Sequence, residues 1–346
     1  MALRFIDSMG HYGTAVVVQR KWSNVALVGF QSSGGRRNAA YLTYDGGVLL
    51  KTLTHQTRYI QGAAIKYAGE GPSLSVSNDT RIIAYLNLNN DNTISIYGGN
   101  GENLGVSANA VADPSSFHYY EFDCTVGAAG NLISIVGIVR VDNNQVLTVT
   151  GTTTITASNL IDGMATVNQV GFQGGANFDV MDYYCLDTSA TDINGYSTTN
   201  TMFLGDVEID ALFPGTDTTT QWGSFGGDGT HAYTCVNETP PDDDTSYVFT
   251  TATGSSEAFI YQPISTFTGT IIGAQYLVCA KKTAEGNRVV AMTVGGTNVK
   301  TIEFQGTSAW LSDYYIYYIA PLDSDNGTPW TTAVFDAEKF GITLQT

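Results

Sequence analysis

Between Leu132 and Gly151 the chain reads LISIVGIVRVDNNQVLTVTG. Two alternating, β-branched runs meet at Asp142-Asn143-Asn144. Asn and Asp tolerate left-handed backbone and bond their own main chain, so this stretch is expected to fold as an antiparallel hairpin. Ile133, Ile135, Val139 and Val141 share one strand face, with Gly137 between them, and Leu132, Val136 and Ile138 share the other. Both faces are largely apolar, so the strand is expected to be central in its sheet or covered on both sides.

The pattern recurs. IIAYLNLNNDNTISIYGG, Ile82 to Gly99, turns at NNDN, and YLTYDGGVLL, Tyr41 to Leu50, predicts a hairpin with Asp45-Gly46-Gly47 at its tip. Helical periodicity is confined to one or two turns in VFDAEKF, Val334 to Phe340. Short strands with turn signals about every ten residues predict an all-β chain of sandwiches or barrels. No self-similarity at a period of about 20–50 residues points to a propeller or solenoid. Heptads and collagen triplets are absent as well, so the chain is not a fibre shaft in its own right.

At 346 residues the chain accommodates two domains, each large enough to bury a core. Hydrophobic residues make up 43% and charged residues only 14%, below the usual quarter, with Thr, Asn, Ser, Gly and Tyr in their place. The segment ATDINGYSTTN, Ala190 to Asn200, reads as a loop or linker. MFLGDVEIDALFP, Met202 to Pro214, is expected to return as a strand. The division is therefore 1–209 and 210–346. The C-terminal part is more acidic: from Asp206 onward there are 5 basic and 17 acidic residues, against 10 and 15 before it.

A net charge of −17 excludes the basic footprint of a nucleic-acid binder. Asp242-Asp243-Asp244 reads as a solvated loop, with a cation loop as the alternative. Cys124, Cys185, Cys235 and Cys279 form no CxxC pair and are read as small buried hydrophobes. The opening residues lack a signal-peptide core and no window has membrane-spanning length, so a soluble chain made in a reducing cytoplasm is expected.

Chemistry-bearing patterns are sparse. His11, His55, His118 and His231 lack metal-ligand spacing. Ser115-Ser116 near His118 lacks the GxSxG frame of a nucleophile elbow. GGNGENLG, Gly98 to Gly105, lacks GK[ST] and reads as a hairpin loop, not a phosphate cradle. FGGDGTHAYTCVNE, Phe225 to Glu238, holds Asp228 among turn glycines but lacks the full calcium-loop pattern. In VMDYYCLD, alternation places Val180, Asp182, Tyr184 and Leu186 on one face and Met181, Tyr183 and Cys185 on the other. A glycosidase needs two carboxylates about 5 to 10 Å apart. Glu121-Phe122-Asp123 is an ExD pair, but Val126 stands where a third carboxylate would complete an ExDxxE strand. Asp182 is read as a polar strand residue bonding a turn. The tyrosine run SDYYIYYIAP, Ser312 to Pro321, is read as a two-sided core or interface strand, with a sugar-stacking platform as the alternative.

Several stretches resemble tailed-bacteriophage virion proteins that carry a laminin-G-like, concanavalin-type jelly roll. RFIDSMGHYGT resembles their RFIDxFDHY opening. TISIYGGNGENLGVS, FHYYEFDCTV, ISIVGIVRVDNNQVL and VNQVGFQGGANFDVMDYYCLDTS resemble successive strands of the jelly roll. FLGDVEIDALFPGTDTTTQW resembles the junction into a second β-domain, and TGTIIGAQYLVCAKKTAEGNR and PWTTAVFDAEKFGITL resemble segments of it. The chain departs from the pattern at Met181-Asp182, where two aspartates are usual, and at Met9-Gly10, where Phe-Asp is usual. The first departure removes a carboxylate from any calcium loop of this class.

The resemblance implies a laminin-G-like jelly roll whose strand around Leu3 to Asp7 closes against Phe203 to Ile209, then a smaller C-terminal β-sandwich. It implies a non-enzymatic virion component on the particle exterior, tail- or fibre-associated or a head decoration, assembled in the host cytoplasm. Expected partners are other virion proteins and further copies of itself, without nucleic acid or membrane insertion. A module binding host-surface glycan is the alternative, and a glycan hydrolase ranks below it. No catalytic residue, metal site or cofactor is assigned, and no binding residue is identified.

Overall fold

The computed structural model describes residues 2–12, 18–79, 81–156, 165–175, 177–188, 203–239, 241–264, 269, 271–283, 286–304, 311–318 and 331–346. The chain divides into two compact units, Met1–Asp210 and Ala211–Thr346.

The first unit comprises β1 (Ala2–Asp7), β2 (Asn24–Gln31), β3 (Tyr41–Gln56), β4 (Arg58–Tyr67), β5 (Gly71–Asn78), β6 (Arg81–Leu88), β7 (Ile94–Gly98), β8 (Asn103–Val106), β9 (His118–Ala129), β10 (Leu132–Val141), β11 (Asn144–Thr156), β12 (Val167–Gln173) and β13 (Asn177–Asp187). Hydrogen bonds link them in the order β11-β10-β9-β4-β13-β3-β12-β5-β6-β7-β8, with β1 added to β13 and β2 to β3. This continuous antiparallel sheet doubles over at β3. Leu42–Asp45 pair with β13, whereas Val48–Gln56 pair with β12. The two halves become the two layers of a sandwich.

The doubling corrects one expectation. Asp45-Gly46-Gly47 is a bend inside a single long strand, not a hairpin tip. Gly46 sits at φ +66, and a Cβ on Gly47 would fall 2.0 Å from the Ala26 carbonyl oxygen. β2 follows both halves of β3, with its own irregularity at Leu27 (φ +55). A partner that tracks the bend keeps the chain running forward instead of turning back.

The other hairpins form as expected. Asp142 and Asn143 take φ +47 and +69, the two left-handed residues of a type I′ turn between β10 and β11. NNDN joins β6 to β7, and Gly98 to Gly105 lies in the β7–β8 hairpin. β10 lies between β9 and β11, and Ile133, Ile135, Val139 and Val141 are buried. Its other face is only partly covered, with Val136 38% exposed. Central position in the ladder, not two covered faces, accounts for its apolar content.

One polar side chain ties the layers through the core. The amide of Gln61 on β4 donates from Nε2 to the Ser75 carbonyl at 2.8 Å. Its Oε1 accepts from the Gly171 N–H at 3.1 Å and from the Tyr183 hydroxyl at 3.0 Å. Ser75 and Gly171 are register partners on β5 and β12, and Gly171 is turned to φ +132. Gln61 thus satisfies two backbone groups of that pair, as a buried sheet requires.

β1 does not pair with Phe203 to Ile209. It pairs with Tyr183–Asp187 of β13. β3 occupies that edge of β13 only at Asn177–Val180, which leaves the rest open to β1. Residues 203–213 form no strand, a second correction. Ala190 to Asn200 lies outside the described residues.

The second unit comprises β14 (Pro214–Thr220), β15 (Gly223–Phe225), β16 (Tyr247–Phe249), β17 (Ser256–Tyr261), β18 (Gly273–Ala280), β19 (Arg288–Val294), β20 (Thr297–Phe304), β21 (Leu311–Tyr318) and β22 (Lys339–Leu344). A five-stranded sheet, β14-β17-β22-β19-β20, accompanies two strand pairs, β15-β16 and β18-β21. Tyr276 and Val278 of β18 pack on Met292, Val294, Ile302, Phe340 and Leu344 of the larger sheet, the core of a small sandwich. A helix at Thr332–Ala337, capped by the Thr331 side chain, overlaps the expected Val334 to Phe340 only over 334–337, because Lys339 and Phe340 already belong to β22. The whole chain is all-β in class. No helix among the described residues is long and apolar enough to cross a membrane. The tyrosine side chains of Ser312 to Pro321 lie outside the described residues.

Candidate functional site

Register places the candidate carboxylates on one surface. Glu121 pairs with Gly62, and Gly62 with Tyr184; Asp123 pairs with Ile60, and Ile60 with Leu186. All lie on the face of their layer opposite the core residues Tyr120, Phe122 and Tyr183. Asp182 joins them through a β-bulge. It sits at φ +53, and the register with β4 shifts between Met181 and Tyr184. Strict alternation therefore fails here. Val180 pairs with Ile65, whereas Met181 and Tyr184 pair with Ala64 and Gly62, so Val180 and Tyr184 face opposite ways.

The bulge makes Asp182 a junction. Its carboxylate accepts from the Ile209 N–H at 3.0 Å and from Arg36 Nη1 at 3.1 Å, with Arg37 Nη1 at 3.9 Å. Its carbonyl accepts from the Tyr119 hydroxyl at 2.8 Å. Arg36 and Arg37 come from the 3-10 turn Arg36–Asn38, and both reach on to acidic residues of the segment 203–210. Arg36 pairs with Asp206, and Arg37 with Glu208 and Asp210. Burial pushes the Asp182 carboxyl up to about 6, against the pull of the Ile209 N–H and the two arginines.

The same segment closes over Glu121. Glu121 accepts from the Tyr184 hydroxyl and from the Gly205 N–H at 2.8 Å, while the Leu204 N–H donates to Tyr184 at 3.1 Å. Gly62 makes room for this, because a Cβ there would overlap the Tyr184 ring. Asn143 accepts from the Asp206 N–H, and Arg140 lies over the Phe203 ring at 4.6 Å. Burial raises the Glu121 carboxyl, and Oε2 is buried with no hydrogen-bond partner among the described residues. Asp123 is held by a two-pronged pair with Arg58 at 2.8 and 2.5 Å. Glu121, Asp123 and Asp182 are 1%, 3% and 0% exposed. The segment at 203–210, read in the sequence as a strand, is instead a strap held by side chains.

A second polar cluster gathers the N-terminal motif. Asp7 accepts from the Tyr12 hydroxyl, from Trp22 Nε1 at 2.8 Å and from the Met9 N–H at 2.8 Å, with Lys21 Nζ at 3.4 Å. Burial opposes charge on Asp7, but Lys21, His11 and these hydrogen bonds outweigh it and hold the carboxyl below its usual range. Burial, then Lys21, pushes His11 down to about 4. Ser8 Oγ lies 3.0 Å from His11 Nδ1. A Ser-His-Asp relay needs acid and serine on different ring nitrogens. Here Asp7 also approaches Nδ1, at 3.9 Å, so the three residues do not form one. The sequence signal for this cluster was RFIDSMGHYGT itself, read for resemblance and not for its buried charge.

The remaining candidates disperse. His118 pairs with Asp142, Ser115 with Asp113, and His55 with Thr166. Asp228 accepts from the N–H groups of Thr230 and His231 and faces His231 Nδ1 at 2.8 Å. Asp242 bonds Ser246 and Asp244 pairs with Lys281, so this run organises a turn. No group of three His, Cys, Asp or Glu among the described residues is placed to hold a metal ion. Cys124, Cys185 and Cys235 are buried, whereas Cys279 is half-buried, short of the full burial expected.

No protein-family model matches the chain, and no curated protein matches its sequence. Solved structures give distant likenesses. CG-16, a homodimeric agglutinin from chicken liver, is 16% identical, with 40% of this chain and 98% of that one covered and a TM-score of 0.28. An endo-1,3-beta-glucanase from Streptomyces sioyaensis is 14% identical, with 54% and 96% covered and a TM-score of 0.30. The CBM2 module of Lactobacillus casei BL23 phage J-1 evolved Dit is 12% identical, with 54% and 96% covered and a TM-score of 0.26. Likeness at this level says nothing about what this chain binds or does.

Proposed function

We propose that this chain is a non-enzymatic β-scaffold of a tailed-phage virion exterior, tail- or fibre-associated or a head decoration. The observation that carries the non-enzymatic part is the sealing of Glu121, Asp123 and Asp182. A glycosidase must present two carboxylates to a substrate and to water. Here all three are buried, Asp182 and Glu121 under the strap, and each is held by protein donors. Fold alone confers no chemistry.

The phage address rests on the sequence resemblance from RFIDSMGHYGT through PWTTAVFDAEKFGITL. The low charge and turn-rich strands support a rigid part meant for repeated packing, and copies of it are expected to self-associate symmetrically. Two measurements test the reading. Particles traced by electron cryomicroscopy should show the chain on the exterior, and the copy number decides between head decoration and tail or fibre. Full-length protein incubated with a panel of host-surface polysaccharides should release no reducing ends. Release abolished by Asp182→Asn or Glu121→Gln would overturn the non-enzymatic reading.

A further inference from the structure

The second unit carries a different kind of surface. β15 and β16 form a short ribbon in which Gly223 pairs with Phe249 and Phe225 with Tyr247. Side chains two apart on a strand, and directly opposite across a pair, share a face. Phe225, Tyr247 and Phe249 therefore stand on one side of the ribbon. Their rings form a row: Phe225 and Tyr247 stack with centroids 5.2 Å apart, and Tyr247 and Phe249 meet edge-on at 5.9 Å. Phe225 and Phe249 remain 53% and 50% exposed.

The row is held in place. An ideal Cβ on Gly223 would fall 2.9 to 3.3 Å from three atoms of the Phe249 ring, so that ring rests on bare backbone. Just past Phe225, Gly226 and Gly227 turn at φ +77 and +60. Gly227 lies close to Thr234 and Cys235 of the 3-10 turn Ala232–Cys235, which packs against both strands. The turn is fixed by Asp217, which accepts from the N–H groups of Ala232 and Tyr233. Leading into it is the exposed loop of Asp228, Thr230 and His231.

We propose that this aromatic row is a stacking site for a neutral saccharide chain. The exposed faces and edges of these rings offer apolar surface to the C–H faces of sugar rings and need no enclosing pocket. The surroundings select against other ligands. From Ala211 onward there are 14 acidic and 5 basic residues, a net of −9. That field repels nucleic acid, phosphate and acidic polysaccharide. The hydroxyl of Tyr247 stands at the centre of the row, a hydrogen-bonding group suited to a sugar hydroxyl. A protein partner would need an apolar surface far wider than three rings. The assignment does not depend on a virion address and would hold wherever the chain resides.

The test is affinity electrophoresis of the full chain through gels containing a neutral β-1,3-glucan, galactan, mannan or dextran. Retardation by at least one of these is expected. Phe225→Ala and Phe249→Ala should each weaken it about tenfold, with the melting temperature nearly unchanged because both rings are half-exposed. Gly223→Val, which displaces the Phe249 ring without removing it, should weaken it as well. Binding should persist at high salt. The proposal is overturned if none of the four polysaccharides retards the chain, or if retardation survives both phenylalanine substitutions. It is also overturned if sedimentation shows that these substitutions dissolve an oligomer instead, which would make the row an interface between copies.

Discussion

The strap-covered face of the first unit and the aromatic ribbon of the second hold the groups a reader of binding sites looks for, in opposite states. Glu121 and Asp182 are carboxylates, the residue type a glycan hydrolase relies on, and are closed to solvent. Phe225, Tyr247 and Phe249 have no reactive chemistry and are open. The contrast shows that residue type nominates a site and burial decides its use. Carboxylates sealed among arginines and tyrosines organise a fold, whereas rings left half-exposed on a pinned ribbon keep apolar surface open to solvent.

The comparison can be broken most forcefully where buried charge organises the first unit. Asp7→Ala leaves Lys21 buried without its carboxylate and removes the acceptor of Tyr12 and Trp22. A loss of about 3–5 kcal/mol is expected by chemical denaturation. Gln61→Leu orphans the Ser75 carbonyl, the Gly171 N–H and the Tyr183 hydroxyl together, and should cost about 3 kcal/mol. A cost near zero would show that the layers hold without that tie.

Titration sharpens the contrast further. His11, held near 4 against 6.5 when unfolded, binds fewer protons in the fold. Its contribution to stability is present above pH 6.5 and declines by about 3 kcal/mol as the pH falls to about 4. Asp182, raised to about 6 from 3.8, works the other way. Its contribution is present below pH 3.8 and is lost, also by about 3 kcal/mol, as the pH rises through 6. The two contributions oppose each other across this window. Asp182→Asn keeps an acceptor for the Ile209 N–H and tolerates the left-handed backbone, so it should fold. Relative to the parent, its stability should fall by about 3 kcal/mol more as the pH drops from 6.5 to 4. A variant whose stability tracks that of the parent across this range would show that Asp182 does not titrate in it.

The smallest effects are expected at the rims. Arg37→Ala removes exposed links to Glu208 and Asp210 and should cost about 1 kcal/mol or less, diminishing with salt. Phe249→Ala should change stability by a similar amount. A large loss there would mean that the ring supports the fold and is not reserved for a ligand.

Much of this architecture was legible in the chain. Asp142-Asn143 specified its turn because two adjacent residues tolerant of left-handed backbone leave few alternatives. The DGG of β3 misled because the same residues serve a bend when a partner strand follows both arms, and pairing partners are not written locally. Asp182 was legible as a polar residue bonding neighbours. Its bulge was not, since one extra residue inverts every later assignment of face. The strap at 203–210 resembled a strand because Val207 and Ile209 alternate with acids. The alternation instead fits a segment gripping arginines with one edge. The ribbon aromatics are spaced too sparsely in the sequence to stand out as the run at Tyr314 to Tyr318 does, because exposure is a property of the fold and not of the letters.

The Gln61 amide has a consequence for how the first unit is made. Ser75 and Gly171 belong to one layer, yet their backbone groups find partners only when β4 of the other layer arrives. The β5–β12 pair is therefore incomplete in any intermediate that has formed a single layer, and neither layer is a self-sufficient folding unit. Assembly and opening should be concerted, so the Gly171 amide is expected to exchange its hydrogen only when the whole sandwich opens, in step with the amides of β4.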